Sequence, residues 1–99
     1  MVVKIRAKKL KSKKTNLIWF VYMLECSDGR IYTGITTNLE ARFQRHVSGR
    51  GAKFTRRNKP SHIIASTVCK NRSEASKLEY AIKQLRPKEK RRLAEGWVK

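Results

Sequence analysis

Two short runs of strand-forming residues, joined by a tight turn, constrain this chain more than any other feature. Leu17 to Glu25 and Arg30 to Thr36 are rich in the β-branched and aromatic residues that suit a pleated sheet. Ser27-Asp28-Gly29 between them is a turn signal of the hairpin kind. An isolated hairpin is at best marginally stable in water, so the rest of the chain has to cover it.

The covering segments are legible in outline. Thr37 followed by Glu40 has the spacing of a capping box, and Leu39, Phe43 and Val47 make the apolar stripe of a helix ending at Gly49. Gly49 to Pro60 reads as a loop, glycine-rich and then basic, with Lys53, Arg56, Arg57 and Lys59. His62 to Val68 reads as a third strand. Ser73 is expected to cap a second long helix whose apolar face is Ala75, Leu78, Ala81, Ile82 and Leu85. Pro87 suits the first turn of a third helix running to about Glu95, before Gly96. The expected order is β-β-α-β-α-α, an α+β domain with one layer of helices on a small sheet. The domain spans 17–99. Residues 1–16 carry seven Lys/Arg and no acid, as expected of a flexible basic arm.

The charge balance narrows the partner. There are 25 Lys+Arg against 7 Asp+Glu, a formal net charge of +18 over 99 residues. That excess exceeds what solubility requires and points to a polyanion, with nucleic acid first. No apolar run reaches the ~20 residues of a membrane span. Cys26 and Cys69 have no metal-ligand spacing and read as reduced thiols of a cytoplasmic protein.

Several residues fit phosphodiester chemistry. Tyr22 and Tyr32 can share one face of the hairpin, and Gly34, inside the second run, marks a close approach of a backbone or ligand. Arg42 and His46 lie at i and i+4 on one helix face. An arginine there can clamp a phosphate, and a histidine can serve a leaving oxygen. Glu79 projects beside the apolar face of the second long helix, and a carboxylate in that position needs a positive partner. An arginine or a metal ion would serve, and the choice separates a nuclease from a basic binding module.

These residues resemble the GIY-YIG nuclease family. Val21-Tyr22-Met23 and Tyr32-Thr33-Gly34 are similar to the two halves of its signature. Arg42 stands where the family's helical arginine does, His46 follows one turn later, and Glu79 takes the place of the single metal-binding glutamate. Tyr32 to Thr37, followed by Gly49 to Arg56, looks like the small stand-alone bacterial members. The resemblance covers roughly Trp19 to Leu93. It implies a small three-stranded antiparallel sheet flanked by helices, carrying a metal-dependent endonuclease site. Glu79 would bind one Mg²⁺ or Mn²⁺. Tyr32 would be the general base and Tyr22 would orient water or phosphate. Arg42 would stabilise the phosphate, His46 would assist acid-base chemistry, and Gly34 would keep the site open to substrate. Lys53, Arg56, Arg57 and Lys59 would contact nucleic acid, DNA favoured over RNA. Many members have Lys or His three residues after the second tyrosine, where this chain has Ile35. No separate targeting domain is seen, so specific cleavage would need a partner protein. The expected function is a structure-selective or weakly specific DNA endonuclease of repair or recombination. A non-catalytic nucleic-acid-binding module and a ribosome-associated basic protein are the alternatives.

Overall fold

The computed structural model describes residues 18–97, so the basic arm at 1–16 lies outside the described residues. The fold is α+β. Strands β1 (Trp19–Cys26), β2 (Ile31–Thr36) and β3 (Pro60–Cys69) form one antiparallel sheet in the order β2-β1-β3. Helices α1 (Leu39–Val47) and α2 (Lys53–Arg57) precede β3, and α3 (Arg72–Lys83) and α4 (Pro87–Trp97) follow it. The order is therefore β-β-α-α-β-α-α. The segment read as a loop contains α2, which has no side-chain cap and no apolar period to betray it.

The hairpin forms as its turn residues dictate. The Gly29 N–H donates to the Cys26 carbonyl (2.9 Å) and the Cys26 N–H to the Arg30 carbonyl (2.8 Å). Gly29 sits at φ +90°, the left-handed conformation this three-residue loop needs. In the β1–β2 register Tyr22 faces Gly34 and Leu24 faces Tyr32, which puts both tyrosines on one side of the sheet.

Alternation gives the sheet two different faces. Val21, Met23, Ile31 and Ala65 pack against Ala75 and Ile82 of α3 and Ala94 of α4 in the main core. Fully burying one such aliphatic side chain is worth roughly 1.5–3 kcal/mol. The tyrosine face is covered by α1 and α2, so helices lie on both sides rather than in the single layer expected. Bulges interrupt the β1–β3 register, and Ile64, left without a partner on β1, packs against the core.

Several local expectations are corrected. The cap of α1 is Asn38, whose side chain accepts from the Ala41 N–H (3.0 Å), not Thr37. The Thr36 hydroxyl accepts from the Asn38 N–H (3.1 Å) and holds the chain out of the helix until that residue. The cap of α3 is Asn71 rather than Ser73, since its side chain accepts from the Glu74 N–H (2.8 Å). Pro87 does open α4, but the helix continues through Gly96 to Trp97. Ala81 is exposed, outside the apolar face of α3. Val47 is 43% exposed, and the fully buried side chain of α1 is His46. Helix α1 ends in a Schellman motif, with Arg50 N–H to Arg45 O (2.9 Å), Gly49 N–H to His46 O (3.2 Å) and Gly49 at φ +84°. Both cysteines are buried free thiols, as expected.

Candidate active site

The tyrosine face holds a buried polar chain. Tyr22 and His46 are each 1% exposed, and the Tyr22 hydroxyl lies 2.8 Å from His46 Nε2. His46 Nδ1 lies 2.7 Å from the Thr55 hydroxyl, which donates to the Ala52 carbonyl (2.9 Å). A carbonyl only accepts, so the single Thr55 hydrogen is committed to Ala52 and Thr55 must accept from His46. The proton of the neutral ring therefore sits on Nδ1. Its Nε2 lone pair takes the hydroxyl hydrogen of Tyr22, and the lone pairs of the Tyr22 oxygen are left for other donors.

Electrostatics keep this chain neutral. Burial, with Arg42 and Arg45 nearby, pulls the His46 pKa down to about 4. Burial pushes Tyr22 up to about 12, opposed by the nearby Arg42 guanidinium and helped by Tyr32 and Glu79. Burial works against the Arg42 cation, but the hydroxyls of Tyr22 and Tyr32 outweigh it and raise its pKa. Arg42 is thus a fixed positive charge beside both phenols.

Two glycines make the close packing possible. A Cβ on Gly34 would lie 2.6 Å from the Tyr22 oxygen and 3.0 Å from the Tyr32 ring. The group that approaches Gly34 is the phenol of Tyr22, its cross-strand neighbour. A Cβ on Gly51 would strike the His46 ring and stand 2.9 Å from His46 Cα. Gly51 and Thr55 went unrecognised because they act on a partner in another element. The only sequence trace of them is the Gly49 to Arg56 string.

Tyr32 is half-buried at the mouth of the site, its ring 5.0 Å from that of His46 and 5.8 Å from that of Phe54 between centroids. Phe54 anchors α2 through this contact. Glu79 is half-buried on α3, as its place beside the apolar face predicts, and its ion-pair partner is a lysine rather than an arginine. Lys83, one turn on, lies 3.1 Å from Glu79 Oε2 and 5.9 Å from the Tyr32 ring centre. Lys53, Arg56 and Arg57 are exposed on α2 and Lys59 just beyond it, while Thr55 of that helix points inward to His46. Arg91 bonds Glu25 (2.8 Å) and the Gly29 carbonyl (2.6 Å), tying α4 to the hairpin turn.

A three-stranded sheet with two tyrosines on one face, an arginine and a histidine on the helix above and a glutamate on a later helix defines a nuclease fold class. The chain matches the GIY-YIG catalytic domain over residues 18–92 and belongs to that family. It is 51% identical over 79 residues to a UPF0213 protein of Desulfotalea psychrophila, covering 79% of this chain and 72% of that one. It is 46% identical over 81 residues to the UPF0213 protein YhbQ of Escherichia coli, covering 81% of each. The solution NMR structure of the UPF0213 protein BH0048 from Bacillus halodurans is 40% identical, with TM-score 0.51, over 79% of this chain and 83% of that one. No described helix is long and apolar enough to cross a membrane.

Proposed function

We propose that this protein is a divalent-metal-dependent endonuclease that hydrolyses DNA phosphodiester bonds, structure-selectively or with weak sequence preference, in repair or recombination. The observation that carries the reading is the meeting of Tyr22, Tyr32, Arg42 and His46 at one site, with Arg42 beside both phenols. Arg42 binds and polarises the scissile phosphate, a charge-assisted contact that strengthens as negative charge builds in the transition state. Tyr22 presents an oxygen lone pair whose direction is fixed by His46, and so orients a donor there, either a water or the Arg42 guanidinium that holds the phosphate. Tyr32, at the open side of the site, is positioned to accept the proton of the attacking water. The exposed cations of α2 and Lys59 hold neighbouring phosphates, which makes affinity salt-dependent.

The residues fit one Mg²⁺ or Mn²⁺. A hard divalent ion often takes one or two carboxylates, with phosphate and water in its other positions. Glu79 offers one carboxylate, and phosphate and water would have to fill the rest, since no group of three His, Cys, Asp or Glu meets among the described residues. When bound, such an ion supplies charge neutralisation and a more acidic water. Lys83 lies against Oε2 of the same carboxylate, so a bound ion would share Glu79 with that ammonium.

The test is cleavage of labelled duplex, single-stranded, flapped and branched DNA with and without metal, by the protein and its Glu79→Ala variant. Cleavage should require both the metal and Glu79, with binding nearly intact in the variant. Cleavage that survives the substitution removes Glu79 from the metal role. The second reading, a binding module without turnover, is favoured by Ile35 and by the Glu79–Lys83 pair. Turnover abolished by Tyr32→Phe eliminates it.

A further inference from the structure

A pocket of ≈ 270 Å³ opens along the outer edge of β2, immediately beside the site just described. Ile31, Tyr32 and Thr33 of the strand line one side, with Phe54 of α2, Lys83 of α3 and Lys90 of α4 around it. Its lining is mainly apolar, with two aromatic rings 5.8 Å apart and two ammonium groups. Lys90 takes part in no ion pair among the described residues. Four elements thus contribute flat apolar surface and positive charge to one small space.

We propose that this pocket holds one unpaired nucleotide of the substrate strand, its base against Ile31, Tyr32 and Phe54 and its phosphate between Lys83 and Lys90. Two aromatic rings in one small space suit the face of an unpaired base, which a stacked duplex does not present. A lone phosphate has no use for two aromatic rings, and a purely apolar ligand has none for two ammonium groups. Aromatic stacking is indifferent to base identity, so the pocket selects an unpaired state rather than a sequence. Burial and the neighbouring Lys83 both lower the pKa of Lys90, the signature of a cation short of an anionic partner. The Thr33 hydroxyl beneath the pocket is buried without a hydrogen-bond partner among the described residues, so the strand edge has spare polar capacity there.

The position carries the consequence. Tyr32 belongs both to this pocket and to the cluster around His46, and Lys83 reaches Glu79 as well. A nucleotide held here is the immediate neighbour of a phosphate held by Arg42. The inference rests on the nuclease reading for its meaning and narrows it to strands with an unpaired nucleotide next to the cut, such as flaps, bulges or frayed ends.

The test is metal-free binding, which needs no turnover. Fluorescence anisotropy would compare a blunt duplex, a single-stranded oligodeoxynucleotide and a fully abasic strand of the same length. The full chain and its Lys90→Met variant would both be titrated across a range of salt. The single strand should bind more tightly than the duplex, and the abasic strand should bind about tenfold more weakly than the strand with bases. Lys90→Met should weaken the single strand more than the duplex and reduce the salt slope by about one. Equal binding of duplex, single strand and abasic strand, by both proteins, overturns the subsite. Metal-dependent cleavage alongside that result leaves the nuclease reading standing. The expected binding pattern with no cleavage leaves the pocket and removes the nuclease.

Discussion

Thr55→Val should break the proton order of the buried chain, and its effect can be worked from the contacts. Valine keeps the shape of threonine but cannot accept from His46 Nδ1, which the Thr55 hydroxyl does at 2.7 Å. If the ring keeps its proton on Nδ1, a buried donor is orphaned at a cost of about 1–3 kcal/mol. If the proton moves to Nε2, the ring donates to Tyr22 and the Tyr22 hydrogen loses its acceptor. Arg42, the neighbouring group, only donates. Both routes leave unpaired polar groups, so the variant should lose about 1–3 kcal/mol, and Thr55→Ser should restore most of it. Urea unfolding measures the loss, and long-range ¹⁵N NMR of the imidazole reads the tautomer. A wild-type ring protonated on Nε2 refutes the reasoning. So does a valine variant of full stability with its tautomer unchanged.

The remaining predictions use the same site. His46 is neutral when folded, with a pKa of about 4 against an ordinary 6.5, so below pH 6.5 the unfolded chain binds a proton that the folded one refuses. Its contribution is therefore intact above pH 6.5 and falls by a total of about 3 kcal/mol as the pH drops to 4. Urea titrations at several pH values should show that slope, and His46→Asn should flatten it. Gly34→Ala and Gly51→Ala should each cost about 1–3 kcal/mol by overpacking against Tyr22 and His46, measured by thermal unfolding. Lys83→Met should tighten Mn²⁺ binding in a substrate-free calorimetric titration by releasing Glu79 Oε2, and weaker binding contradicts the sharing of that carboxylate.

The sequence revealed the hairpin and the tyrosine face because a strand has period two and one glycine turn set the register. It misplaced the inward side of α1 by one residue. A hydrophobic stripe favours Val47, but His46 takes the buried place because Tyr22 and Thr55 satisfy both of its ring nitrogens. Thr55 and Gly51 could not be assigned beforehand, since their meaning lies in a histidine on another element. Lys83 was within reach of spacing arguments, four residues after Glu79 on one helix. The charge of Glu79 is met within its own helix before any arginine reaches it. Helix α2 was invisible because its residues are mostly cationic and its helical state depends on docking Phe54 and Thr55.

The two tyrosines are interchangeable in sequence and unequal in the structure, and that inequality bears on the division of labour proposed above. Tyr22 is sealed under α1 with its hydrogen committed to His46, and its pKa of about 12 keeps it a neutral phenol at any working pH. It can take a proton from water only by passing its own to His46 Nε2, whose depressed pKa makes it a reluctant acceptor. Tyr32 has no such chain behind it and borders the open pocket, with the Lys83 ammonium over its ring and the Arg42 cation near its hydroxyl. Tyr32→Phe should therefore abolish cleavage with the fold intact, whereas Tyr22→Phe should disturb stability and phosphate orientation through His46 and Arg42. Cleavage rates and urea unfolding of the two variants separate these roles. Cleavage that survives in Tyr32→Phe and is lost in Tyr22→Phe at unchanged stability reverses the assignment.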